Sequence, residues 1–413
     1  MNPGQNEEPF FLKAGERTKK CTLNRVINGT GTDYLRHRAV QGTFEIGSSY
    51  RRQAIKKGIV TMNVKERILA AMTWDEPDEV PLTVYDWMLP RGTTERLLRE
   101  AGVGLVVRLP GHQVTHHRVE VLSHEYQESG RSLIRRTIRT PVGEVWQTLQ
   151  ADPAYGTSNW ILDHFIKGPE DYRVMEFYYL DMVFKDNYDV IREAQRRIGT
   201  DGLVMLRIAK SPIQEMLYQI MGLERFASDY QEQSNLFDSL HATMVKRYEE
   251  LYELAARSPV EILQLGDNIY SDMVGRERYR RYLMPEYAKL KARLEGTGKL
   301  LAVHMDGNLK SLRTDIGESR FDIVEAMTPP PMGDFSVREA RQNWPDKALW
   351  INFTSSMHIE PAADIEAHTR ELLEEAGATR GFGISVTEDA PVGDLEKSLA
   401  VISRVLHEYG TGG

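Results

Sequence analysis

A short run of polar residues follows an apolar stretch and carries side chains suited to acid–base or metal chemistry. Residues 300–303 are Leu, Leu, Ala and Val, and the run HMDGN then supplies His304, Asp306 and Asn308. An uninterrupted apolar run is typical of a buried parallel strand. Because the carboxyl ends of such strands carry the chemistry in α/β enzymes, His304 and Asp306 are predicted to be catalytic.

A second predicted strand, residues 260–265, ends in the same way on Asp267, Asn268 and Tyr270. Parallel strands present their carboxyl ends at one edge, so the two polar groups are expected to meet. Asp267 is the third predicted catalytic residue, and Asn268 and Tyr270 are predicted to bind substrate. A purely structural alternative remains for Asp267, which could cap the following helix.

The run at residues 79–85 is the first of these strands, and polar groups follow it as well. Asp86, Trp87 and Arg91 lie at or just beyond its end and are predicted to line the substrate pocket. Trp87 could provide a stacking wall for an aromatic substrate. Asp306 could instead be a helix cap, and His304 a satisfied core histidine.

The sequence around these residues alternates between patterns typical of strands and patterns typical of amphipathic helices. This alternation predicts an α/β protein with a (β/α)8 barrel, and a doubly wound sheet is the alternative. Residues 118–140 depart from it, since they alternate apolar and polar residues around a Glu-Ser-Gly turn and predict an inserted β-hairpin. The strands are predicted within residues 79–85, 105–109, 202–207, 260–265, 299–304, 321–326, 348–353 and 381–386.

Composition excludes several classes of function. The 413 residues carry a net charge of −8, which argues against nucleic-acid binding through bulk charge. No apolar run approaches the length of a membrane span, and the polar start of the chain lacks a signal-peptide pattern. The single cysteine, Cys21, excludes an internal disulfide and favours a reducing compartment, so a cytoplasmic location is expected.

The domain organisation follows from a change in pattern near residue 62. Residues 1–61 are polar and basic without a helical or strand period, which predicts a poorly structured extension. Residues 62–413 are predicted to form the barrel. A homodimer is one expectation for the assembly.

Seven segments together resemble the uroporphyrinogen decarboxylase superfamily. They occur in the order expected for that family, which implies a (β/α)8 barrel. The run DWMLPRG at residues 86–92 departs from true uroporphyrinogen decarboxylases, because Arg91 is the one arginine where they carry an arginine-rich run. The resembling segments are KERILAAM at 65–72, PDEVP at 77–81, TPVG at 140–143, GPEDY at 168–172, GDN at 266–268, YLMPEY at 282–287 and HMDGN at 304–308.

The chain looks more like the cobalamin-linked methyltransferases of this superfamily. That resemblance implies transfer of a methyl group between a small substrate, such as methanol, a methylamine or an aryl methyl ether, and a corrinoid. The chain contains no Asp-x-His-x-x-Gly corrinoid signature, so the corrinoid is expected on a partner protein. No nucleic acid or membrane is expected as a partner.

The resemblance also implies zinc, with an altered set of ligands. Thiol-activating relatives bind zinc through His-x-Cys and a distant Cys, whereas this chain has Asp306 and Glu388 near those positions. The expected ligands are His304, Asp306, Glu325 and Glu388. Nitrogen and oxygen ligands make a harder, more Lewis-acidic centre. This set favours an O- or N-methyl substrate over a thiol.

Two other functions stay open at this stage. One is a metal-free decarboxylase acting on uroporphyrinogen or a smaller carboxylic acid. The other is a binding protein without catalytic activity on an inherited barrel, since fold resemblance alone does not establish chemistry.

Overall fold

A computed structural model describes residues 61–89, 91–151 and 159–411. The predictions for Cys21 and for the extension concern residues that, except for Thr61, lie outside this part of the chain. The described residues form fourteen strands, which are β1 (Leu82–Tyr85), β2 (Gly104–Pro110), β3 (His112–His116), β4 (Glu120–Glu128), β5 (Arg131–Thr140), β6 (Gly143–Ala151), β7 (Asn159–Asp163), β8 (Met182–Asp186), β9 (Gly202–Arg207), β10 (Ile262–Leu265), β11 (Leu300–His304), β12 (Ile323–Glu325), β13 (Ala348–Asn352) and β14 (Phe382–Val386).

Eight parallel strands close into a barrel in the order β1-β2-β9-β10-β11-β12-β13-β14 and back to β1. Every adjacent pair is parallel. Each barrel strand corresponds to one of the eight predicted apolar runs, because strands covered on both faces need apolar residues throughout. The (β/α)8 prediction is confirmed, and the closed sheet excludes the doubly wound alternative.

Helices follow each barrel strand and cover the outside of the barrel. Short 3-10 segments lie at Asp86–Met88, Lys310–Leu312 and Ser355–Ile359, and π-helical segments at Met216–Met221 and Tyr279–Leu283. The α-helices are α1 (Val64–Met72), α2 (Thr93–Glu100), α3 (Pro169–Leu180), α4 (Tyr188–Ile198), α5 (Pro212–Glu215), α6 (Gly222–Glu232), α7 (Ser234–Arg257), α8 (Ser271–Val274), α9 (Arg276–Arg278), α10 (Met284–Leu294), α11 (Arg313–Glu318), α12 (Val337–Asn343), α13 (Ala362–Ala376) and α14 (Val392–Thr411).

The register of the parallel strands decides which polar residues face the barrel interior. Side chains paired across neighbouring strands point to the same face. Gln264 pairs with Arg207 on one side and with Ala302 on the other, and His304 pairs with Glu325. Arg108 lies two residues after the partner of Tyr85 and therefore shares its inward face. A ring of polar side chains thus occupies the carboxyl end of an otherwise apolar barrel.

The predicted hairpin is part of a larger insertion between β2 and α3. Strands β4 and β5 form the hairpin and continue into β6 and β7 as a four-stranded antiparallel sheet, while β3 pairs with β8. The insertion is tied to the barrel by Asp181 at the end of α3, whose carboxylate accepts the backbone N–H groups of His117 and Arg118, each at 2.8 Å. The hairpin prediction is therefore confirmed, within a wider sheet.

Candidate active site

Glu325 is the centre of a buried hydrogen-bond network at the carboxyl end of the barrel. Its Oε1 accepts the hydroxyl of Tyr85 at 2.5 Å, and its Oε2 accepts the amide of Gln264 at 2.6 Å. The Nδ1 of His304 lies 2.6 Å from the same Oε2. A fully buried carboxylate needs such donors, because an unpaired one would lose its hydration without compensation. Three strands, β1, β10 and β11, thereby hold one acid on β12.

His304 is consequently fixed between two carboxylates. Its Nε2 lies 3.5 Å from Oδ2 of Asp306 while its Nδ1 contacts Glu325. Burial is the largest influence and lowers the pKa of His304, but the neighbouring Glu325 and Asp306 carboxylates outweigh it and raise the pKa to about 9. The imidazole is therefore protonated at neutral pH, with both N–H groups available as donors.

The pKa values of the two neighbouring carboxylates shift in the opposite direction. Burial raises the pKa of Asp306, yet the hydrogen bond and charge of His304 dominate and lower it below its usual range. The pKa of Glu325 is also lowered, because His304 and the Tyr85 hydroxyl outweigh the effect of burial. The three groups form a charged, mutually stabilised set rather than three neutral side chains.

A cavity of about 700 Å³ opens above this network at the mouth of the barrel, and we refer to it as the barrel-mouth cavity. This volume is in the range of small-molecule sites. Its lining is mostly polar or charged. The lining residues are Tyr85, Trp87, Arg108, Arg207, Ala209, Lys210, Glu215, Gln219, Gly266, Asn268, His304, Asp306, Thr387, Glu388 and Asp389.

Three buried polar atoms of this lining lack a hydrogen-bond partner among the described residues. They are Oδ1 of Asp306, Oγ1 of Thr387 and Nε of Arg108. Buried polar groups in folded proteins are nearly always paired, so each exception calls for a ligand or another explanation. The barrel-mouth cavity therefore offers an acceptor, a hydroxyl and a cationic donor to a polar ligand.

Sequence reasoning missed the cationic side of the cavity. Arg108 and Arg207 lie on the neighbouring strands β2 and β9, and Lys210 follows β9 and donates to the backbone carbonyl of Gly266 at 2.5 Å. A signal was available, because Arg108 and Gln264 interrupt otherwise apolar strands near their carboxyl ends. A charged residue at such a position is a functional candidate.

Asp267, predicted to be catalytic, lies behind the cavity lining and is fully buried. Its carboxylate accepts the backbone N–H of Ser211 at 2.5 Å, the Ser211 hydroxyl at 2.7 Å and the Tyr287 hydroxyl at 2.9 Å. Burial raises its pKa, although the Ser211 hydrogen bonds and Lys210 counteract this. In this geometry Asp267 positions the turn that carries Lys210.

The five residues predicted to bind substrate separate into three places. Trp87 and Asn268 line the barrel-mouth cavity, and Trp87 is 41% exposed. Tyr270 packs over the backbone of Gly307 next to the cavity. Asp86 and Arg91 line a different, largely apolar groove of about 790 Å³ that runs between α2 and α4 on the outside of the barrel. The chain turns outward directly after β1, which separates these two residues from Trp87.

The four ligands expected for zinc do not form one coordination set. The Glu325 oxygens already accept three hydrogen bonds, and Oε2 of Glu388 accepts the Ser355 hydroxyl at 2.5 Å. Within the described ranges, no group of three or more His, Cys, Asp or Glu side chains is placed to hold a metal ion. His304 and Asp306 alone do not fit the three or four protein ligands of a zinc site. Zinc stays a prediction from the resemblance.

Comparisons with known proteins bear on the fold. No protein-family model and no curated protein matches the chain. Among solved structures, a methyltransferase from Methanosarcina mazei is similar over 84% of this chain and 99% of its own, with 12% identity and a TM-score of 0.51. A Listeria monocytogenes protein assigned as a vitamin-B12-independent methionine synthase is 18% identical over 53% of this chain and 67% of its own, with a TM-score of 0.33.

The likeness to the Methanosarcina mazei enzyme shows a shared barrel fold, and function has to be argued from the site.

None of the described helices is long and apolar enough to cross a membrane.

Proposed function

We propose that the chain is a methyltransferase of the uroporphyrinogen decarboxylase superfamily. It moves a methyl group from a small O- or N-methyl substrate to the cobalt of a corrinoid carried by a separate protein. The observation that supports this most directly is the protonated His304, which Glu325 holds at the base of a polar cavity. Other buried polar atoms of that cavity lack a hydrogen-bond partner among the described residues.

The task left to the protein is activation of the leaving group. When present, the corrinoid supplies a strong nucleophile for the methyl carbon. The bond between the methyl carbon and the substrate oxygen or nitrogen breaks, and its electron pair stays on that heteroatom. His304 gives its Nε2 proton to the heteroatom, so that a neutral alcohol, phenol or amine leaves.

The neighbours of His304 suit it to this role. Glu325 fixes the ring through Nδ1 and leaves Nε2 directed toward Asp306 and the cavity. Asp306 contributes negative charge that keeps the proton on the ring until substrate displaces the contact, and its free Oδ1 can accept a hydrogen bond from the substrate. A positioned acid of this kind typically contributes a factor of roughly 10² to 10⁴ in rate.

The test uses the full chain with free, chemically reduced cobalamin and a panel of methyl donors comprising methanol, methylamines and methoxylated aromatics. Formation of methylcobalamin is followed by its absorbance spectrum. We expect donor-dependent methylation, and a rate loss of about 100-fold or more in His304→Gln.

His124→Gln is the matched control, because His124 is exposed on β4, away from the barrel-mouth cavity. It should retain the full rate. The proposal fails if no donor in the panel gives methylcobalamin, or if His304→Gln is as fast as the unmodified chain. Retention of substrate binding without any turnover would favour a non-catalytic binding protein.

A decarboxylase is the second candidate, and the cations of the cavity are the observation that favours it. Arg108, Arg207 and Lys210 could hold a substrate carboxylate, and protonated His304 could supply the proton that replaces CO₂. Release of CO₂ from uroporphyrinogen or a small aromatic acid by metal-stripped protein, with no methylcobalamin formed, would favour this reaction over methyl transfer.

A further inference from the structure

The cationic side of the barrel-mouth cavity contains two guanidinium groups that have no hydrogen-bond or ion-pair partner among the described residues. Neither Arg108 nor Arg207 makes a side-chain hydrogen bond or ion pair with another described residue. Elsewhere in the described part of the chain, arginines with little exposure are paired with acids, as Arg67 is with Asp78 and Arg225 with Asp229. Two like charges on adjacent strands repel each other, so this arrangement is favourable when an anion lies between them.

The surroundings hold Arg108 in place and give neither arginine an ion pair. The Arg108 guanidinium lies over the Tyr85 ring, 3.5 Å from its centroid, and Tyr85 in turn donates to Glu325. Burial lowers the pKa of Arg207 and the nearby charge of Arg108 lowers it further. Glu215 lines the same cavity and attracts Arg207 but forms no ion pair with it. Burial raises the pKa of Glu215 to about 7, although the charges of Lys210 and Arg207 oppose this. Among the described residues, no carboxylate therefore lies within ion-pair distance of either arginine.

The opposite side of the cavity is acidic. Asp306 follows β11, and Glu388 and Asp389 follow β14, whereas Arg108 and Arg207 belong to β2 and β9. In the order of strands around the barrel these acids are separated from the arginines by at least one strand on either side. The cavity is polarised, with a cationic wall and an acidic wall that includes the proton donor His304.

We propose that Arg108 and Arg207 bind a carboxylate of the substrate, so that the methyl donor is a small organic acid with its methylated heteroatom at the end remote from the carboxylate. Planar guanidinium groups match carboxylates through paired, charge-assisted hydrogen bonds. The inference of a carboxylate site depends only on the two arginines, whereas the identity of the reacting end of the substrate rests on the proposed methyl transfer.

The barrel geometry limits the length of such a substrate. Adjacent strands lie about 4.8 Å apart, so β9 and β11 are separated by roughly 10 Å along the wall. A benzene ring that carries a carboxylate and a methoxy group at opposite positions is shorter than this backbone separation, part of which the inward side chains of the two strands occupy. Trp87, exposed in the same cavity, provides an aromatic face for that ring.

The experiment measures binding by titration calorimetry with the full chain and no methyl acceptor. The ligands are 4-methoxybenzoate and its uncharged counterpart, 4-methoxybenzyl alcohol. Charge-assisted hydrogen bonds predict that the carboxylate binds roughly 10- to 100-fold more tightly than the alcohol. Equal binding of the two ligands, or no measurable binding of the carboxylate, would overturn the assignment.

Substitutions test whether the two arginines cause this difference in affinity. Arg207→Gln and Arg108→Gln should each weaken carboxylate binding about tenfold or more and leave alcohol binding unchanged, and Arg207→Lys should retain part of the preference. Arg320→Gln, a change at an exposed arginine paired with Glu295, is the control and should bind both ligands normally. Thermal unfolding checks that each variant is folded, and unchanged carboxylate binding by a folded Arg207→Gln contradicts the proposal.

This assay separates the two proposals. Arginine-dependent binding without methylcobalamin formation would refute methyl transfer and leave the carboxylate site standing. Methyl transfer from donors without a carboxylate, at rates insensitive to Arg207→Gln, would support methyl transfer and refute the carboxylate site.

Discussion

At the scale of single residues, the pairing of Glu325 with His304 decides what the site can do. Glu325 was predicted to be a metal ligand, but its oxygens face Tyr85, Gln264 and His304. A carboxylate in that position orients the ring and keeps it protonated. The same arrangement would also orient a metal-binding histidine, with Glu325 behind the ligand.

The pH dependence of activity tests this role. If His304 is the proton donor, turnover should be constant near neutral pH and fall as the pH rises through about 9. In Glu325→Gln, burial is opposed by the Asp306 carboxylate alone, so the pKa of His304 should drop and the alkaline limb of the profile should move to lower pH. The measurement is kcat against pH with a saturating donor.

Glu374→Gln, which changes an exposed carboxylate on α13, is the control for this experiment. It should leave the profile where it is. An unchanged alkaline limb in a folded, active Glu325→Gln variant would refute the role of Glu325.

The pKa of His304 also predicts a pH dependence of stability. The folded-state pKa is raised from 6.5 to about 9, so the contribution of His304 is fully present below pH 6.5 and is lost as the pH rises through about 9. The shift corresponds to something of the order of 3 kcal/mol. Urea unfolding of the native chain and of His304→Gln at several pH values should show a difference that shrinks from pH 6 to pH 9.5. A constant difference would contradict the raised pKa.

At the scale of elements, the turn after β9 depends on the turn after β10. Asp267 accepts two hydrogen bonds from Ser211, and the adjacent Gly266 carbonyl accepts one from Lys210. The two strands therefore fix the position of Lys210 through Asp267 and Ser211, which lie outside the cavity lining, and through Gly266, which is part of it.

Asp267→Asn tests whether this residue positions the turn or takes part in catalysis. The amide replaces an acceptor by a donor facing Ser211 and Tyr287, which should lower the free energy of unfolding by about 1–3 kcal/mol. The substrate KM should rise more than kcat falls, because Lys210 moves while His304 is untouched. Urea unfolding and steady-state kinetics measure both effects. A large loss of kcat with unchanged stability would restore Asp267 to the catalytic set.

At the scale of the whole molecule, a buried ion network joins the beginning and the end of the described chain. Arg67 on α1 pairs with Asp78 at 2.6 Å and also with Glu79, which in turn contacts His407 on α14. His407 also reaches the carbonyl of Ala101 after α2. The network closes the barrel at the end opposite the cavity.

Arg67→Met should therefore destabilise the whole fold. It leaves two carboxylates with little exposure and no guanidinium partner, which typically costs about 3–5 kcal/mol. Lys65→Met is the matched control, since Lys65 pairs with Glu261 in a more exposed setting worth about 0–1 kcal/mol. Urea unfolding compares them, and equal losses would show that the network contributes little. Carboxylate binding at the distant cavity should be retained in both variants at low temperature.

The sequence by itself determined the architecture and one half of the site. Eight apolar runs separated by helical patterns require a parallel sheet covered on both faces, and they matched the eight barrel strands. His304 and Asp306 could be paired from sequence because they lie two residues apart at the end of one strand. Their closeness is a local property that the chain carries whatever surrounds it.

Only the tertiary structure decided the partners that come from distant parts of the chain. Tyr85, Gln264 and His304 meet at Glu325 because the strand register turns them inward. Arg108 and Arg207 share the inward face for the same reason, two residues apart in register. An apolar run is buried on both faces, so its pattern does not reveal which face points into the barrel. The counter-charges of a buried group are likewise set by long-range packing, and so the pKa of His304 and the unpaired arginines could not be read from the sequence.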